Sequence, residues 1–134
     1  MSSLTVRAHG PAGAPDVWEA YADPQRWPEW APHIRRVEAI GRLRPGLEGQ
    51  VWSIVPAPVS FEVTDVDAKR RRWSWLAAFG PVRMRFDHGV DELDTGSGTW
   101  LTMHGPLPLL MIYAPLARLA LRRLVRVPVA AASQ

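Results

Sequence analysis

The chain is 134 residues long, with 47% hydrophobic and 22% charged residues and a formal net charge of +3, a balance typical of a globular domain long enough to bury a core. It contains no Cys, which excludes a disulfide framework, a thiolate metal site and a thiol nucleophile. The basic residues are almost all Arg and are interspersed with acidic ones; the densest run, Lys69-Arg70-Arg71-Arg72, follows Asp65 and Asp67 at what reads as a hairpin turn, so no nucleic-acid partner is expected.

Leu4, Val6 and Ala8 alternate with Thr5, Arg7 and His9, the period of a strand. Gly10 to Gly13 turns the chain, Pro15 suits a first helical position, and Val17, Trp18 and Tyr21 recur at helical spacing. Asp23-Pro24 stops that helix and opens a second short one through Trp27. Strands are predicted over Ile34 to Ile40 and Val51 to Val55, separated by a loop from Leu43 to Gly49 and followed by a turn at Pro56-Ala57-Pro58. Val59, Phe61 and Val63 then alternate with Ser60, Glu62 and Thr64. Trp73, Trp75, Ala77 and Phe79 share one face of the next strand, which Gly80-Pro81 ends. The clearest signal is Val82, Met84, Phe86, His88 and Val90 alternating with Arg83, Arg85, Asp87, Gly89 and Asp91, a half-buried antiparallel strand. Asp94 to Gly98 is a tight turn, and Thr99, Leu101, Met103 and Gly105 line one side of the last strand. The period then changes. Leu116, Leu119, Ala120, Leu124 and Val127 form an apolar helical stripe, and Arg118, Arg122 and Arg126 lie on another face. Pro115 fits the start of this helix or a kink in it, and Pro128 its end. An antiparallel sheet with one dry face and one amphipathic helix resolves by wrapping the sheet around the helix. A single α+β domain over residues 1–134 is expected.

The segments Ala14-Pro15-Asp16-Val17-Trp18, Ala22-Asp23-Pro24 and Trp27-Pro28-Glu29-Trp30-Ala31-Pro32 carry a family signature. With them the chain resembles the START-like (SRPBCC) superfamily, and within it the polyketide cyclase/dehydrase-like branch. Looser matches fall in order: Gly46 and Gly49 at a strand turn, Phe61-x-Val63, Trp73-Ser74-Trp75, His88 in the sixth strand and Gly98-Thr99 entering the last. The resemblance covers nearly the whole chain. It implies a helix-grip fold with an apolar pocket between sheet and last helix. It leaves function open, because members bind lipids, sterols, quinones, polyketides or other proteins. The polar cavity groups of the cyclases that do chemistry have no residue-by-residue match here.

Seven Trp in so short a chain point to a large interior or a ligand surface. Phe61, Trp73, Trp75, Met84, Phe86, Leu101 and Met103 are expected to converge on the concave face. Ser53, His88 and Tyr113 would be the polar groups bordering a pocket, and Met84, Met103 and Met111 would suit an irregular guest. Trp27 and Trp30 are expected to brace the helix pair. His88, between Phe86 and Val90, could orient a ligand oxygen or move a proton, although a lone His on an apolar face is more often a core residue. His104 and Trp100 fall on the opposite face and are expected to be exposed. Their parity keeps His104 apart from His88, so no metal site is expected, nor any cofactor. His9 and His33 lie near element ends without a specific signal. Glu62, Asp87 and Asp91 read as wet-face partners of Arg.

The amino terminus lacks the basic start and apolar run of an export signal. The most apolar stretch, Gly105 to Ala117, is shorter than the roughly 20 residues of a membrane span. A cytoplasmic protein without an integral membrane segment is expected, and a homodimer is compatible with the sequence. Three functions stand side by side. The first is a binder of a small hydrophobic, ring-containing metabolite of polyketide, quinone, sterol or lipid type. The second is an aromatase/cyclase-like enzyme in which His88 or Tyr113 moves protons. The third is a protein-interaction module. Several buried polar groups around the cavity favour the enzyme and an all-apolar cavity the binder. A filled core with an exposed patch over Leu107 to Ile112 favours the interaction module.

Overall fold

Strand β1 (Ser2–Gly10) leads into helix α1 (Ala14–Ala22), a 3-10 turn (Pro24–Arg26) and the short helix α2 (Trp27–Trp30). Strands β2 (Arg36–Glu38), β3 (Glu48–Trp52), β4 (Val59–Asp67), β5 (Arg72–Phe79), β6 (Val82–Leu93) and β7 (Gly96–Gly105) follow, and then helix α3 (Leu107–Leu124). This is the architecture of a computed structural model, which describes residues 2–53 and 57–128. The strands form one antiparallel sheet in the order β1-β7-β6-β5-β4-β3-β2. A meander runs from β2 to β7 and β1 joins its far edge, so the sheet curves around α3 as the helix-grip expectation required.

The helical segment after β1 is built from its own sequence signals. Pro15 occupies the first turn of α1, where its missing N–H costs nothing. Asp23 ends the helix, and its Oδ1 accepts from the Gln25 N–H at 3.1 Å, capping the 3-10 turn. The indoles of α2 then fold back. Trp27 Nε1–H donates to the Tyr21 carbonyl at 2.9 Å and Trp30 Nε1–H to the Ala20 carbonyl at 3.2 Å, satisfying carbonyls that the end of α1 leaves open.

Several predicted boundaries move. β2 is only Arg36–Glu38, and β3 starts at Glu48, inside the segment read as a loop. Val55 and Pro56 lie outside the described residues. The last helix begins at Leu107, well before Pro115, which lies inside it. It ends at Leu124, ahead of Pro128, where the Val125 carbonyl accepts from the Ala12 N–H at 2.9 Å. Its buried side is Leu110, Ala114, Ala117, Ala120, Leu121 and Leu124, while Leu119 is 45% exposed. The apolar stripe is therefore rotated from the one the sequence suggested. Alanines on that side let the helix backbone approach the sheet closely.

Candidate functional site

Register brings the aromatic side chains of the concave face together. Trp73 pairs with His88 and Trp75 with Phe86 between β5 and β6, and His88 pairs with Leu101 on β7. The His88 ring stacks flat on Trp73, with centroids 3.9 Å apart and planes 8° apart. The Tyr21 ring of α1 meets both edge-on at 5.4 Å. Trp27 and Trp30 of α2 close one side, and Tyr113, Ala117 and Leu121 of α3 another, with His33 from the connection between α2 and β2. The space they enclose is about 40 Å³. A single water needs roughly 10–15 Å³ and drug-sized ligand pockets run from about 300 Å³. Among the described residues, the pocket expected between sheet and last helix is thus a small space, narrowed by the indole rings that line it.

The wall is not apolar throughout. Among the described residues, Nδ1 of His33, Nε1 of Trp73, Nε1 of Trp75 and Nδ1 of His88 are buried without a hydrogen-bond partner, and all four residues line this one space. Burial pushes the His88 imidazole down to about 3 and that of His33 down to about 4, so both are neutral at pH 7. His33 Nε2 lies 2.8 Å from the Tyr113 hydroxyl. Thr99 Oγ1 donates to the Gly89 carbonyl at 2.8 Å, which leaves the Tyr21 hydroxyl, 3.0 Å away, as donor to Thr99. Burial raises the pKa of both Tyr21 and Tyr113, so both hydroxyls keep their protons.

Of the residues expected at the site, Trp73, Trp75, Phe86, His88, Leu101 and Tyr113 are on the wall. Phe61 is buried one layer behind it, 4.9 Å from the Trp75 ring and 5.5 Å from Trp27. Met103 is fully buried, Met84 is half-buried and packs against Gly105, and Ser53 is half-buried just after β3; none of the three lines the space. Met111 is 62% exposed and points away, since Leu110 and Ala114 take the inward side of α3. Tyr21, Trp27, Trp30 and His33 join the wall against expectation. The two Trp both brace α1 and touch the space. Tyr21 had a signal, since it lies four residues after the buried Val17 on one helical face. His33 had none, because a connection carries no periodicity.

The outer face is more structured than alternation suggested. His104 is not idle: its Nε2 lies 2.9 Å from Asp87 Oδ2, while Asp87 Oδ1 accepts from Ser74 at 2.6 Å and Arg85 at 3.0 Å. Partial burial raises the Asp87 pKa, but the bonds from Ser74 and His104 outweigh it and hold the carboxyl below its usual range. Trp100 is half-buried, lying over Gly89, where no side chain stands in its way, and the Arg72 guanidinium sits 5.4 Å from its ring. Among the described residues no group of three His, Asp or Glu is placed to hold a metal ion, and no helix is long and apolar enough to cross a membrane. In the segment Leu107 to Ile112, Leu107 (49%), Leu109 (37%), Met111 (62%) and Ile112 (71%) are exposed, whereas Leu110 is fully buried.

Residues 1–133 match the family model described as polyketide cyclase / dehydrase and lipid transport. No curated protein matches the chain. Among solved structures, the di-domain ARO/CYC BexL from the BE-7585A biosynthetic pathway superposes with a TM-score of 0.77 at 17% identity, over 94% of this chain and 46% of that one. Ara h 8.0201 superposes with a TM-score of 0.72 at 13% identity, over 93% of this chain and 95% of that one. Protein NE0264 from Nitrosomonas europaea gives 0.75 at 16% identity, over 92% of each chain. At these identities the likeness is one of fold.

Proposed function

Because the chain belongs to the polyketide cyclase / dehydrase and lipid transport family, we propose that it binds a small, oxygen-bearing, ring-containing hydrophobic molecule between the sheet and α3. The observation that supports this reading is that His33, Trp73, Trp75 and His88, which line one space, each carry a buried nitrogen with no hydrogen-bond partner among the described residues. A buried polar group left unpaired costs about 1–3 kcal/mol, and such groups rarely cluster in a core that only packs. An indole N–H can only donate, so the complementary guest presents carbonyl, hydroxyl or ether oxygens to Trp73 and Trp75. The neutral imidazoles can donate or accept.

A ring does not fit into about 40 Å³, so binding requires the wall to part. α3 rests mainly on β1 and β7 and only lightly on α2. Among the described residues, His33–Tyr113 is the side-chain hydrogen bond that spans the gap on the α2 side. Breaking it lets α3 lean away from α2 while keeping its seat on the sheet. Native mass spectrometry and quenching of Trp fluorescence, with aromatic polyketides, quinones and sterols as probes, test the reading. One-to-one binding that weakens when the guest loses its oxygens supports it. No binding across the panel overturns it.

A second reading rests on the His33–Tyr113 contact at 2.8 Å. A neutral imidazole bonded to a phenol is an acid/base pair at the cavity wall, and buried polar groups there were the expected mark of a cyclase-like enzyme. Incubation with a poly-β-keto chain followed by product analysis tests it. Turnover abolished by Tyr113→Phe with guest binding retained would assign the pair a chemical role.

A further inference from the structure

The inward side of α3 covers the core, yet its outward side is also apolar for half its length. Turn by turn that side carries Leu107 and Pro108, Met111 and Ile112, Pro115, then Arg118 and Leu119, and finally Arg122 and Arg123, with Arg126 just beyond the helix; all are exposed. Ile112 is 71% and Met111 62% exposed, and Leu119 is still 45% exposed. The chain has no Asp or Glu after Asp94. The ion pairs among the described residues engage other Arg residues and leave Arg118, Arg122, Arg123 and Arg126 unpaired. The result is an apolar first half and an uncompensated cationic second half on one side of one helix.

Whatever covers this side must be apolar at one end and anionic at the other. A second copy of the chain packed α3 against α3 does not meet that condition. Packed α3 against α3 in one direction, it sets arginines against arginines; in the other, it sets arginines against the apolar half. Neither supplies an anion. A bilayer interface containing anionic lipids supplies both, since its acyl boundary accepts Leu107, Met111 and Ile112 and its headgroups face the arginines. We infer that the outward side of α3 docks on an anionic lipid bilayer surface, with the helix lying along the interface. The inference does not depend on the cavity having a guest.

Flotation of the full chain with vesicles of phosphatidylglycerol and phosphatidylcholine, compared with phosphatidylcholine alone, tests it. The expected result is binding to the anionic vesicles that falls with added salt and is weak or absent on neutral ones. Replacing both Met111→Ser and Ile112→Ser weakens partitioning by about tenfold or more, and each of Arg118→Gln and Arg122→Gln weakens it by roughly fivefold. These side chains face solvent, so circular dichroism and the thermal midpoint stay as in the parent. Leu76→Ser, an exposed position on the outer face of the sheet, leaves vesicle binding unchanged. Failure to float with anionic vesicles at low salt overturns the inference, as does equal binding by the parent and the Met111→Ser/Ile112→Ser chain. A concentration-dependent rise in mass without vesicle binding would give this side to a second copy and overturn it as well.

Discussion

Stacked on Trp73 and held neutral by burial, His88 is the residue at which stability and the proposed binding of a guest pull against each other. Its folded pKa of about 3 and that of His33, about 4, lie below the ordinary value of 6.5. In acid the unfolded chain therefore binds protons that the fold refuses. Stability is fully present above about pH 6.5 and is lost as the pH falls toward 4, by an amount on the order of a few kcal/mol. Urea unfolding midpoints measured from pH 7 to pH 4 should show this decline, and His88→Phe should flatten it. At pH 7 the same substitution removes the unpaired buried Nδ1 together with the imidazole's hydrogen bond to the Trp73 backbone, so the unfolding midpoint should shift by no more than about 1 kcal/mol in stability. Affinity for an oxygenated guest, measured by fluorescence titration, should meanwhile drop about tenfold. A large loss of stability at pH 7 would show instead that the imidazole is a satisfied part of the core. Alternation along β6 made the inward placement of His88 readable from sequence, since Phe86 and Val90 flank it at the right parity. The hairpin turn at Gly80-Pro81 also sets Trp73 opposite His88, whereas the contact between His33 and Tyr113 joins residues far apart in the chain and no local pattern carries it.

At the scale of elements, α3 shows most clearly what periodicity conveys. Its second half has a wet face of Arg118 and Arg122 and could be recognised as a helix. Its first half is apolar on both sides, follows Pro106 and contains Pro108 and Pro115, so it offers neither an amphipathic period nor a clean start. The expected stripe and the buried side share Ala120 and Leu124 but differ at Leu116 and Leu119, because alanine at 114 and 117 counts little in a hydrophobic pattern, although it is what lets the helix sit close to β1 and β7. The two registers make different predictions. Leu110 is fully buried and Leu119 is 45% exposed. Leu110→Ala should destabilise by about 2–5 kcal/mol and Leu119→Ala by roughly 0.5 kcal/mol or less, as read from denaturant midpoints. The reverse ranking would mean that α3 is rotated on the sheet.

For the whole molecule, the succession of strands along the chain and the helix wrapped by them followed from period changes and turn residues, whereas the pairing of β1 with β7 and the volume of the cavity did not. A sheet's curvature is set by many small twists, and the room left inside depends on how each indole turns once packed. Seven Trp could have walled an open pocket or filled it, and composition cannot distinguish the two outcomes. The sheet order has one more consequence, and it concerns time. β4, β5, β6 and β7 pair with chain neighbours through hairpins, but β1 pairs with β7 alone, Ser2 opposite Gly105 and Gly10 opposite Ser97. Local hairpins close early, while a contact across most of the chain waits on the loop entropy between its ends. β1 should therefore dock after the transition state, along with the α3 that rests on it. In stopped-flow experiments Val6→Ala, at a buried β1 position opposite Leu101, should speed unfolding and barely slow refolding, whereas Phe86→Leu in the central hairpins should slow refolding. On the ribosome β1 is made long before its partner exists, so the chain carries an unpaired strand through most of its synthesis and is open to aggregation until β7 emerges.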